Sequence, residues 1–127
     1  MKKYSLIFIL VLMLIVVCGC SKIKIYKVDE ERTFIDEIYK HISKSKNDYF
    51  LVDARELNTK YASGHFRGFI NYDIKNGTID EFLYKIESLY AKNKTAFIID
   101  EDGEYVEMLA TSLKDAGYKK IYIYRRI

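Results

Sequence analysis

Ala96-Phe97-Ile98-Ile99 runs directly into Asp100-Glu101-Asp102-Gly103-Glu104-Tyr105, and Val106, Leu109, Ala110, Leu113 and Ala116 then follow at helical spacing. An unbroken apolar run of strand length is the pattern of a parallel strand covered on both faces. The stripe after it predicts a helix that ends at Gly117, where a left-handed C-terminal cap is expected. Ile121 to Tyr124 supplies the next strand. Strand, charged loop, helix and strand in that order predict one crossover unit of a parallel sheet.

The same alternation extends upstream. Thr78-Ile79-Asp80-Glu81 has the form of a capping box and opens a helix with Ile79, Phe82, Leu83, Ile86 and Leu89 on one stripe. Gly68 to Tyr72 reads as a short strand, Glu56 to Ala62 as a short helix, and Tyr49 to Val52 as an apolar strand. A helix over Glu30 to Ser43 carries Phe34, Ile35, Ile38, Tyr39 and Ile42 on one face, with His41 expected in solvent. Ile23 to Val28 alternates with period two, as a half-buried strand does. The fold class is therefore α/β, with helices on both faces of a mostly parallel sheet. Function in such sheets sits where strands end, so the loop after Ile99 is the place to look.

The N-terminus has a different character. Met1-Lys2-Lys3-Tyr4 precedes twelve unbroken apolar residues, Leu6 to Val17, the length of a secretory signal core and short of the roughly 20 residues a spanning helix needs. The run ends in Val17-Cys18-Gly19-Cys20, which resembles the bacterial lipobox. That resemblance implies removal of residues 1–19, a diacylglyceryl group on Cys20, and attachment of the mature chain to the outer face of the cytoplasmic membrane or beyond. Several acyl chains on one residue hold a protein where a single chain would not. Residues 20–24 are then the lipidated N-terminus and a short spacer, and 25–127 the domain. An uncleaved signal anchor would place the domain on the same side.

Length and charge narrow the function. A chain of 127 residues has room for one core beside the targeting segment. Of its 21 basic residues, 19 remain against 18 acidic ones once Lys2 and Lys3 are removed, and no basic, aromatic-rich face stands out; a nucleic-acid partner is not expected. Its two cysteines are Cys18 and Cys20, so the mature domain is expected to carry no free thiol and no disulfide.

Leu51-Val52-Asp53-Ala54-Arg55, with Tyr61 and Gly64-His65-Phe66-Arg67-Gly68-Phe69-Ile70-Asn71 after it, resembles the rhodanese signature: Asp-x-Arg, then Gly-His-Ile-x-Gly-Ala-Ile-Asn. Leu113 to Tyr118 is similar to the family's Leu-x-x-x-Gly-Phe helix end. The matches span about Asp29 to Tyr124. The resemblance implies a rhodanese-like fold, with Asp53, Arg55, Gly64, His65 and Gly68 as its structural motif. Two departures are Arg67, where the family often has proline, and an end at Ile127 before the family's usual final helix, which would leave an edge of the fold bare.

In active rhodaneses a cysteine follows the fourth strand and begins a loop whose N–H groups point at it, ahead of a helix N-terminus; such a setting lowers a thiol pKa. Counting back from Gly117, that position falls on Asp100 and the loop on Glu101, Asp102, Gly103, Glu104 and Tyr105. A carboxylate cannot hold a sulfane sulfur, so persulfide transfer is not expected. Four carboxylates in the loop are also expected to repel anionic substrates. No metal site is expected, since an EF-hand frame with Gly103 at its sixth position puts Ile98 first and Leu109 last; carboxylates at a helix start stabilise its dipole without a metal. No cofactor is implied.

The reading favoured by the residues is an inactive, membrane-anchored interaction or scaffolding module at the cell envelope, with an unidentified protein partner. The alternatives are a residual sulfurtransferase or a hydrolase using the acidic loop, and a cation- or small-molecule-binding lipoprotein.

Overall fold

The computed structural model describes residues 21–44, 47–101 and 105–126. Cys20, with the whole signal segment, lies outside the described residues, as do Asp102, Gly103 and Glu104. Five strands form one sheet: β1 (Lys22–Tyr26), β2 (Tyr49–Asp53), β3 (Ile70–Asn71), β4 (Thr95–Asp100) and β5 (Lys120–Arg125), in the order β1-β5-β4-β2-β3. Every neighbouring pair is parallel. Helix α1 (Glu31–Lys44) covers one face, and α2 (Ile79–Leu89) and α3 (Val106–Asp115) cover the other.

Alternation along the strands divides the core in two. Ala96 and Ile98 of β4 and Ile121 and Ile123 of β5 pack under α2 and α3 with Phe82, Ile86, Leu109 and Leu113. Phe97, Ile99, Tyr122 and Tyr124 face α1 with Phe34 and Ile38. All six residues of β4 are buried, so the central strand tolerates no polar side chain except where it ends. The α1 layer is largely aromatic. Phe97 stacks on Tyr122 at 5.2 Å, and Phe34 meets Phe97 edge-on at 5.9 Å.

Local signals worked where side chain and backbone meet directly. The Thr78 hydroxyl accepts the Glu81 N–H at 3.1 Å, but the reciprocal half of the box is absent because Glu81 turns to the Tyr72 hydroxyl at 3.3 Å. Gly117 adopts φ +106 and ends α3, with the Tyr118 N–H reaching the Leu113 carbonyl at 3.0 Å.

Four expectations need correction. The strand read over Ile23 to Val28 starts at Lys22, inside the stretch read as spacer, and stops at Tyr26. Its buried member is Tyr26, packed on Phe34, while Ile23 and Ile25 are 39% and 38% exposed, because β1 is an edge strand that α2 and α3 do not cover. The segment read as a short α-helix from Glu56 is a single wide turn over Leu57–Tyr61, held by i→i+5 bonds such as Tyr61 N–H to the Glu56 carbonyl at 2.9 Å. The strand expected from Gly68 to Tyr72 is only Ile70–Asn71. His41 is not in solvent: its side chain is 16% exposed, lies edge-on to Phe97 at 5.2 Å, and turns Nδ1 toward the Asp48 carboxylate at 3.5 Å.

Candidate functional site

The chain passes from β2 outward to β3 and then returns to β4 on the other side of β2. Connections leaving two adjacent strands in opposite directions open a crevice at their carboxyl ends. Ala54 and Arg55, with Asp53 buried behind them, form one wall of that crevice, and Asp100 and Glu101 the other.

Asp53 and Arg55 form a buried clamp. Asp53 is fully buried and Arg55 is 4% exposed. The Arg55 Nη2 donates to the Asp53 Oδ2 at 2.7 Å, Nε donates to both carboxylate oxygens at 2.9 and 3.0 Å, and the Arg55 backbone N–H donates to Oδ1 at 3.0 Å. Nη2 also donates to the Gly64 carbonyl at 2.7 Å, so the loop from 56 to 64 is fastened to the end of β2. Burial works against the guanidinium charge, but the bonds and negative charge of Asp53, with Glu101 beyond, hold the Arg55 pKa above its usual value.

The rest of the signature reinforces this loop. The Asn71 side chain donates to the carbonyls of Asp53 at 3.0 Å and Arg55 at 2.9 Å. The Tyr61 hydroxyl donates to the Phe69 carbonyl at 2.8 Å, and the His65 ring stacks on Tyr61 at 3.7 Å with Nδ1 2.9 Å from the Tyr61 carbonyl. His65 is exposed and does not line the crevice. Gly68 has φ +88, where a side chain would be strained. Gly64 is different: a Cβ there meets nothing within 4 Å, so its part is played by its carbonyl.

Across the crevice, β4 ends at Asp100, which is 3% exposed. Its Oδ2 accepts the Tyr105 N–H at 3.4 Å, at the residue that precedes α3. A carboxylate thus occupies the start of the helix, where partial positive charge stabilises it. The Arg126 N–H closes on the Asp100 carbonyl at 2.8 Å. Glu101 places its carboxylate 3.6 Å from both Arg55 Nη1 and Lys60 Nζ, with its Oε2 buried and without a hydrogen-bond partner.

Between the walls is a cavity of about 30 Å³, room for a few waters and not for a sizeable substrate. Arg55, Lys60 and Lys75 line it opposite Glu56, Asp100 and Glu101. Among the described residues, Glu101 lies between Arg55 and Lys60, and Lys75 pairs with Glu56. Lys60, Lys75 and Asn71 are contributors that sequence reasoning passed over; Asn71 stands inside the quoted signature, whereas nothing in the sequence singles out either lysine.

Cys20 is tied too closely to β1 to reach this mouth. Lys22 is in register with Lys120, and Asp100 with Arg125, two strands across and five residues farther along β5. Strand rise and spacing put Lys22 and Asp100 about 19 Å apart. Cys20 precedes Lys22 by at most about 7 Å of fully extended chain, well short of that distance.

Fold and site together define an open parallel α/β domain whose crevice at the β2/β4 switch point is closed by a carboxylate where a helix begins. The family model for the rhodanese-like domain matches residues 34–126, and the chain belongs to the rhodanese-like family. No curated protein matches the chain.

Proposed function

We propose that this protein is a catalytically inactive rhodanese-like domain, lipid-anchored through Cys20, that serves as an interaction or scaffolding module at the cell envelope. The observation that carries the proposal is the placement of Asp100. It ends β4 and accepts the Tyr105 N–H ahead of α3, and the family resemblance puts the thiolate of active members at this position. Oxygen in a carboxylate cannot accept a sulfane sulfur and pass it on; Cys18 leaves with the signal segment in this reading, and the chain from Cys20 to Lys22 is too short to span to the mouth. The sequence support for the anchor is the apolar run Leu6 to Val17 ending at Cys20. Among the described residues no helix is long and apolar enough to cross a membrane.

Turnover tests the proposal. The lipidated chain, purified from membranes and incubated with thiosulfate and cyanide, is expected to release thiocyanate at the rate of a heat-killed control. Release above that control would restore the sulfurtransferase reading.

A further inference from the structure

The parallel sheet has two unlike ends. The carboxyl ends of the strands carry the crevice, and the amino ends carry the attachment point, because β1 begins at Lys22 two residues after Cys20. A lipid on Cys20 therefore brings the amino end of the sheet within about 7 Å of the bilayer surface.

That end is basic. Lys22 and Lys120 open β1 and β5 side by side, with Lys119 before the latter. Lys92 and Lys94 lie on the turn into β4, and Lys44 ends α1. Lys114 at the end of α3 is offset by the neighbouring Asp115. The remaining acids here are engaged: Asp48 lies against His41 at 3.5 Å, and Glu87 holds Lys92 at 2.8 Å. Among the described residues, Lys44, Lys119 and Lys120 are exposed and have no ion pair. Ile42 and Leu89, 44% and 54% exposed, close α1 and α2 at the same end and add apolar side chains among the lysines. At the crevice end, Lys60 pairs with Glu101 and Lys75 with Glu56, and Asp53 and Asp100 add further carboxylates. Six lysines, Lys22, Lys44, Lys92, Lys94, Lys119 and Lys120, thus gather at one end of a domain that is close to neutral as a whole.

We infer that this lysine-rich end, at Lys22, Lys44, Lys92, Lys94, Lys119 and Lys120, is a docking face for an anionic lipid surface, and that it holds the crevice pointing away from the membrane. The inference rests on the anchor proposed above for the closeness of that surface, and on the charge distribution for its chemistry. Juxtamembrane lysines near an anionic leaflet each add to the attraction, and the exposed Ile42 and Leu89 suit the boundary between headgroups and acyl chains. One tether leaves a domain free to tumble; a second, distributed contact fixes which end faces the partner.

Amine-reactive footprinting of the full lipidated chain on phosphatidylglycerol or phosphatidylcholine vesicles, followed by a high-salt wash, tests it. On phosphatidylglycerol, Lys92, Lys94, Lys119 and Lys120 are expected to react roughly fivefold more slowly than on phosphatidylcholine, the scale of one lysine near an anionic surface, with Lys60 and Lys75 unchanged. Retention on both vesicles with equal rates would overturn the docking face and leave the anchor standing. Slowing confined to phosphatidylglycerol in a chain that salt then strips off would uphold the face and remove the anchor. A chain that floats with neither vesicle would overturn both, and equal protection by duplex DNA would overturn the assignment to lipid.

Discussion

Asp53→Ala is expected to lower the stability of the domain by about 3–5 kcal/mol, measured as the shift in urea midpoint, because it strands the Arg55 guanidinium in a site where it is 4% exposed. Three side-chain contacts from Arg55 and one from its backbone converge on that carboxylate. Without it, Arg55 keeps the Gly64 carbonyl and Glu101 at 3.6 Å, neither of which replaces a bidentate partner. The loop from 56 to 64 loses its fastening at the same time. In the double variant Asp53→Ala, Arg55→Ala neither member of the clamp is left buried without its partner, so the combined loss is expected to be smaller than the sum of the single losses. A single-variant loss under about 1 kcal/mol, the range of an exposed pair, would show that the clamp is not the buried ion pair described.

The second large effect is alkaline unfolding between pH 10 and 12. Burial pushes the phenols of Tyr26, Tyr118 and Tyr124 from 10.0 up to about 12, with nearby Glu37, Glu87 and Glu31 adding to it respectively. Tyr118 donates to the Tyr90 carbonyl at 2.7 Å, and Tyr124 to Glu31 at 3.1 Å, bonds that need the proton in place. The unfolded chain releases these protons near pH 10 and the folded one holds them. The stabilisation is therefore full below pH 10 and is lost as pH rises toward 12. Each phenol contributes roughly 2–3 kcal/mol over that window, and three together rival the whole stability of a small domain. Far-ultraviolet dichroism and phenolate absorbance are expected to change together in one cooperative step. Phenolate forming in every tyrosine near pH 10 with the dichroism unchanged would contradict the burial of these rings.

The sequence was most legible where one residue type has one physical use. An unbroken apolar strand such as Ala96 to Ile99 announces burial on both faces, and Gly117 announces a left-handed stop to α3. Thr78 marks the start of α2 for the same reason. The edge was less readable. Period two in Ile23 to Val28 says that one face is buried but not which, and the sheet order, which places β1 outside the reach of α2 and α3, decides it in favour of Tyr26. His41 carries no sign in sequence of the pocket that Phe97 and Asp48 make for it, since both come from other elements.

The site divides in the same way. Asp53, Arg55 and Gly68 carry their geometry in local spacing, two residues for the clamp and a positive φ for the glycine. The ion pairs at the mouth do not: Lys60 reaches Glu101, and Lys75 reaches Glu56, from stretches that no local spacing connects. The place of Asp100 at the end of β4 follows from the strand pattern, because a fully buried run ends where the first carboxylate appears.

Whether the mouth of β4 can hold sulfur is read most directly by incubating the lipidated chain with thiosulfate radiolabelled in its outer sulfur, desalting, and mapping the label to peptides. The account predicts no label on the peptide that contains Asp100. Sulfur retained there through a bond that cyanide cleaves would contradict it.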